Sequence, residues 1–281
     1  MKSFALVGIS SLCMLCSCGN SVASEDVVFK TDSVVCAKTM GKNIECKMIA
    51  DYPTGDSKLA HSVANYVSGE LAKLYLPNVN EQHNEKEYPF YSGDTTDGKV
   101  VVNYYVDGTL KFLKSLLNDI YEADARSEVL MSQEIDVRKT DDNDRYVSYR
   151  TFSYIYLGGA HGTTIDHTMN IDKRSGEPLM QIVDTLQTEA MQPLLRRGVV
   201  EYLRKQGETS VTDTKLNDIL FLEKGIIPVP RYAPYLTDDG VHFVYQQYEI
   251  GPYAIGLVEF VVPYADIKPY MVKEALQLMP Q

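Results

Sequence analysis

The stretch Tyr154–Asp172, YIYLGGAHGTTIDHTMNID, decides how the second half of this chain is read. Side chains alternate in character up to Leu157 and again from Thr163, the period of two that marks strands between two environments. Gly158, Gly159 and Gly162 stand between them, with His161 inside the turn. Glycine reaches backbone conformations closed to other residues, so the unit predicts a tight corner or bulged hairpin joining two strands. Chemistry at this corner is weakly supported by the residue types. His161, His167, Asp166 and Asp172 are the available zinc donors, yet the turn breaks their strand parity and no HExxH accompanies them. Ser153 has no G-x-S-x-G elbow, and the glycines lack a P-loop lysine or GxGxxG spacing. The expectation is therefore that no residue is catalytic, that no metal or cofactor is bound, and that His161 holds the turn.

The period of two extends upstream. Ser127–Lys139 and Arg145–Leu157 read as a hairpin closed by the acidic turn Asp141–Asp144, which lacks the length, glycine and final glutamate of an EF-hand. Before it the period lengthens. Leu59, Val63, Val67, Leu71 and Leu74 make one apolar stripe of a helix over Ser57–Tyr75, with Asp56 as its cap. A second helix ends at Ala125 and starts at Val100 or Thr109, Gly108 leaving the start open. Downstream, the pattern predicts a helix over Thr185–Gln206, a short one over Asp213–Leu222, strands over Val241–Glu249 and Ile255–Val262, and a closing helix over Pro263–Met279. Strands and helices come in blocks. That favours an α+β fold, with antiparallel sheets, helices packed on one face, and two subdomains over residues 27–126 and 127–281.

The N-terminus reads as a processed leader. Lys2 gives a positive start, an apolar run follows to Leu15, and Leu15-Cys16-Ser17-Cys18 forms a lipobox. Residues 1–17 are then a signal peptide, Cys18 the lipidated residue and 18–26 a tether, which places the chain in the cell envelope, anchored to a membrane. Cys36 and Cys46 lie symmetrically about Gly41 in a turn between two β-rich runs, so in an exported chain a disulfide is expected. The formal net charge is −11, and losing Lys2 makes it more negative. So acidic a chain is not a nucleic-acid binder and favours cationic partners.

A second stretch, HFVYQQYEIGPYAIGLVEFVVPYADIKPYM from His242 to Met271, crowds Tyr245, Tyr248 and Tyr253 around glycines and a proline. The chain has 20 tyrosines and no tryptophan; tyrosine serves both half-buried sheet faces and recognition surfaces. YLGGAHG followed by DKRSGEPLMQIVD and then LTDDGVHFVYQQYEIGPYAIG resembles a domain of unknown function. That domain occurs in the extracellular part of the anti-sigma factor RsiV and ahead of the catalytic half of the peptidoglycan deacetylase PdaC. The resemblance covers about Met131 to Met271, and the segment containing MIADYPTG is similar to the companion domain that usually precedes it. It implies an α+β fold, an envelope location, and ligand sensing or wall association more than catalysis, with a lysozyme-like protein or a peptidoglycan fragment as ligand. Gly158, Gly159, His161, Gly162, Tyr245, Tyr248 and Tyr253 are the expected contact residues. A wall-glycan hydrolase with an acidic site and a purely structural envelope lipoprotein remain the alternatives.

Overall fold

The computed structural model describes residues 29–76, 87–123 and 129–280; the signal peptide, Cys18 and the tether lie outside the described residues. The fold is α+β, as the block pattern predicts. Five strands form the first sheet in the order β1-β2-β3-β4-β5: β1 (Thr31–Met40), β2 (Ile44–Pro53), β3 (Met131–Asp142), β4 (Tyr146–Tyr156) and β5 (Thr163–Asp172). All five strands follow the expected hairpin pattern with a chain neighbour. The β2–β3 pair is parallel, however, so the sheet is mixed and not wholly antiparallel. The reason lies between them: helices α1 (Lys58–Lys73) and α2 (Gly98–Ala123) form the crossover that a parallel pair requires.

Both helices pack on one face of this sheet. Val63, Val67 and Leu71 of α1 and Val106, Leu110 and Leu113 of α2 share a core with Met48 and Ala50 of β2 and Ile135 and Val137 of β3. The other face carries ion pairs, Lys47–Glu134 at 2.6 Å and Arg138–Asp136 at 2.7 Å. Helix α1 is capped by Ser57, whose hydroxyl accepts from the Ala60 N–H, and not by Asp56, which pairs with His61. Gly108 lies inside α2, where the buried Tyr75 hydroxyl occupies the space a side chain would need.

The second unit holds α3 (Thr188–Lys205), the single-turn α4 (Leu216–Ile219), and an antiparallel sheet β6-β7-β8 from Tyr235–Leu236, Gly240–Tyr245 and Val258–Pro263. Its core gathers Leu195 and Val199 of α3 with Val241, Phe243, Val258 and Phe260. The closing helix is broken into α5 (Tyr264–Ile267) and α6 (Lys273–Leu278). Between them Met271 bridges Val183 and the Val272 N–H reaches Ile182, so tertiary pairing holds the chain extended where periodicity alone predicts continuous helix. The division expected at residue 126 falls within the first sheet, because β2 and β3 pair across it. The two cores instead separate after β5: one spans Phe29 to Ile171, and the other, Tyr146 apart, begins at Ile182.

The cysteine pairing needs correction. Met40 pairs with Ile44, so the hairpin centres on Lys42, not Gly41. Cys36 then faces Met48, and Cys46 faces Lys38. The thiols stand diagonally, about 7 Å apart at Cα, outside disulfide reach, and both are free. Cys36 Sγ donates to Asn103 Oδ1 at 3.3 Å, and burial pushes the Cys46 thiol up to about 12.

Candidate functional site

Strand β4 delivers the chain to the corner, and the corner is built for close approach. Gly158 adopts φ 86°, a left-handed conformation that favours glycine. Gly162 lies where a Cβ would fall 2.3 Å from the ring of Tyr154. Tyr156 donates its O–H to Gly159 O at 3.0 Å and fixes the turn. His161 is thereby left exposed at the tip, its Nδ1–H donating to Gly162 O at 3.1 Å. Since a carbonyl can only accept, Nδ1 carries a proton, which in the neutral ring leaves Nε2 its lone pair.

The second motif comes to meet it. After β7 the chain docks on the free edge of β5 through two glutamine side chains. Gln246 accepts from the Asp166 N–H at 3.0 Å and donates to Asp166 O at 2.8 Å; Gln247 accepts from the Thr164 N–H at 3.0 Å. The Gln246 amide thus pairs with β5 as a further strand would. Glu249 closes the turn by accepting from the Gln246 and Arg231 backbone N–H groups. Burial pushes its carboxyl up, against those hydrogen bonds and the Arg231 charge.

Tyr248 and Tyr253 are thereby brought to His161. The Tyr253 ring stacks on the imidazole with centroids 3.9 Å apart, and its O–H donates to Gly162 O at 3.3 Å. The Tyr248 O–H donates to His161 Nε2 at 3.3 Å, and the two tyrosine rings lie 5.7 Å apart. Tyr248 is 56% exposed and has φ 66°. A bulky residue in that region is an outlier that the surroundings must impose. The result is a cluster of three aromatic rings open to solvent, with hydroxyl and imidazole edges.

Gly158, Gly159, His161, Gly162, Tyr248 and Tyr253 therefore come together from two separated motifs. Tyr245 does not join them. It is fully buried in the second core and donates its O–H to Pro228 O at 2.8 Å, because an odd position on β7 faces α3 and not the solvent. The candidate zinc donors disperse: Asp166 pairs with Arg150 on the open face, and His167 points under the helix layer. Ser153 is buried on that same helix side.

Residue reasoning missed the place His167 takes. It forms a buried pair with Glu70 of α1, Nε2 to Oε2 at 3.1 Å, and stacks on Tyr232 at 4.1 Å. Burial pushes the Glu70 carboxyl up, but the hydrogen bonds and charges of His167 and Lys73 outweigh it and hold it below its ordinary value. The signal was present: Glu70 lies three residues after Val67, on the flank of the apolar stripe of α1, where a carboxylate needs a partner. The docking glutamines were equally missed, since nothing local marks a side chain as a surrogate strand.

Residues 184–265 match a family model described as "Protein of unknown function (DUF3298)". That segment runs from the turn before α3 into α5 and contains Tyr248 and Tyr253; the glycine corner precedes it. The fold resembles two solved structures. One is a member of the DUF3298 family from Bacteroides fragilis, 22% identical, covering 88% of this chain and 95% of that one with a TM-score of 0.69. The other is a DUF3298 family protein from Pseudomonas aeruginosa, 15% identical, covering 91% and 99% with a TM-score of 0.58. At these identities the likeness is one of fold. No curated protein matches the chain.

Proposed function

We propose that this chain is a non-catalytic ligand-binding protein of the cell envelope, lipid-anchored at Cys18, whose contact surface is the His161–Tyr248–Tyr253 cluster and whose ligand is a cationic, lysozyme-like protein. The observation that carries the reading is Tyr248. An exposed ring held on a left-handed backbone adds little to the core and costs about 1 kcal/mol or more. Such strain concentrates where a side chain must be presented in one orientation. Rigid tyrosines make good anchors in interfaces because little side-chain entropy is lost on binding. The net charge of −11 favours a basic partner and should act mainly on the association rate. The lipobox and the resemblance to envelope sensors support the location.

The test is a titration of the full chain in detergent with lysozyme and, separately, with soluble peptidoglycan fragments. Binding of lysozyme tighter than about −6 kcal/mol at low salt, weakening as salt rises, is the expected result. His161→Ala and Tyr248→Gly should each weaken it at least about tenfold, or about 1.4 kcal/mol, with melting curves showing both variants folded. Absence of binding removes lysozyme as the ligand. Fragment binding with the same sensitivity to the two variants identifies a wall glycan instead. Unchanged binding in folded variants removes the cluster as the site.

A further inference from the structure

We propose that the protein forms a twofold-symmetric dimer by pairing the outer edge of β1 antiparallel with β1 of a second copy, centred on Val35. Strand β1 stands at the end of the five-stranded sheet and pairs with β2 over ten residues without a bulge. Its outer edge has no hydrogen-bonded neighbour among the described residues. Lys30 O accepts from the Thr54 N–H, and the unbroken register carries that alternation along the strand. The backbone groups of even-numbered residues therefore face β2, while those of Thr31, Ser33, Val35, Ala37 and Thr39 face outward. Long edges of this kind are normally blunted by proline, a bulge or an inward charge, or else are covered. This one carries neither proline nor bulge, and its inward charge, Lys38, is neutralised by Asp107 of the helix layer at 2.6 Å.

The sequence of β1 commits the edge to itself. In an antiparallel pair with Val35 on the twofold axis, Asp32 lies opposite the partner's Lys38, and the same pair recurs by symmetry. Thr31 meets the partner's Thr39, Ser33 meets the partner's Ala37, and Val34 meets the partner's Cys36. Opposite charges and threonine pairs are favourable cross-strand neighbours. Val35 is 61% exposed beside its β2 neighbour Ile49 on the face opposite the helices, and on the axis it would cover its own symmetry mate. Because Val35 directs its N–H outward, the central pair is a hydrogen-bonded one, and an isologous ten-stranded sheet results.

Sedimentation of the full chain in detergent from about 1 to about 100 µM tests this. A monomer–dimer equilibrium is expected. Val35→Pro removes an outward N–H that β2 does not use, so that variant should melt like the parent and sediment as a monomer. Asp32→Lys, which sets two lysines opposite each other, should weaken the dimer at least tenfold. Val35→Cys should form an intermolecular disulfide on mild oxidation, the central Cα atoms lying about 5.5 Å apart, whereas Ala37→Cys should not. A parent that stays monomeric throughout overturns the proposal. So does a Val35→Pro dimer as tight as the parent's. If Val35→Pro fails to fold, absence of the Val35→Cys cross-link overturns it instead.

Discussion

Tyr248 illustrates a residue whose cost and use lie in different states. Its φ of 66° is strained for any side chain with a Cβ, and its ring is more than half exposed. Glycine adopts that conformation freely, and the hydrogen bond that glycine would forgo, to His161, is exposed and 3.3 Å long. Relief of strain, about 1 kcal/mol, exceeds the few tenths that an exposed bond of that length contributes. Tyr248→Gly is therefore expected to raise the unfolding free energy by roughly 0.5–1 kcal/mol while abolishing whatever the cluster binds. Chemical denaturation of variant and parent side by side decides it; a destabilised variant would mean that the ring packs in the native state and is not held out for a ligand.

At the scale of an element, the segment after β7 works as a latch. It has no strand pairing of its own beyond Tyr245, yet Gln246 and Gln247 tie it to three backbone groups of β5. Each bond is worth about 1 kcal/mol net, and each backbone group left unpaired costs about 1–3 kcal/mol. Replacing both glutamines by alanine should lower stability by about 2–4 kcal/mol. It should also speed amide exchange at Thr164 and Asp166 above that of the rest of β5, and Tyr248 and Tyr253 should lose their fixed place beside His161. Exchange that rises evenly along β5 would show instead that the edge is protected by packing.

Across the whole molecule, the buried Glu70–His167 pair ties α1 to β5, and it predicts the acid response. The Glu70 carboxyl is held below its ordinary value of 4.5. Its contribution is fully present above that pH and is lost as pH falls through the lowered value. Glu249 has the opposite sign: its carboxyl is raised, so its penalty is relieved as pH falls toward 4.5. His242, lowered from 6.5 by burial against the pull of Glu259, Asp239 and Asp166, loses stability as pH drops below 6.5. The last two oppose each other above pH 4.5, and below it Glu70 acts with neither opposing. Glu70→Gln is expected to cost about 3 kcal/mol at pH 7 and to flatten the fall in stability below pH 4.5. An acid limb of unchanged slope in the variant would assign the response to other carboxylates.

By itself the sequence determined the fold class, the apolar stripe of α1, the β3–β4–β5 meander with its glycine corner, and the two motifs that meet at His161. Each of these is written in local periodicity or in residues with special backbone freedom. Tertiary structure decided the rest. The parallel β2–β3 pair, the extended break between α5 and α6, and the helix running through Gly108 depend on partners distant in the chain. A shift of one residue in the β1–β2 turn separated Cys36 from Cys46, because strand pairing is set by turn length, which spacing alone does not reveal. Tyr245 and Tyr248 look alike in the chain, three residues apart. One became core and the other surface because Tyr245 holds an odd position on β7, facing α3, while β7 ends there and Tyr248 stands in the turn beyond it on a left-handed backbone.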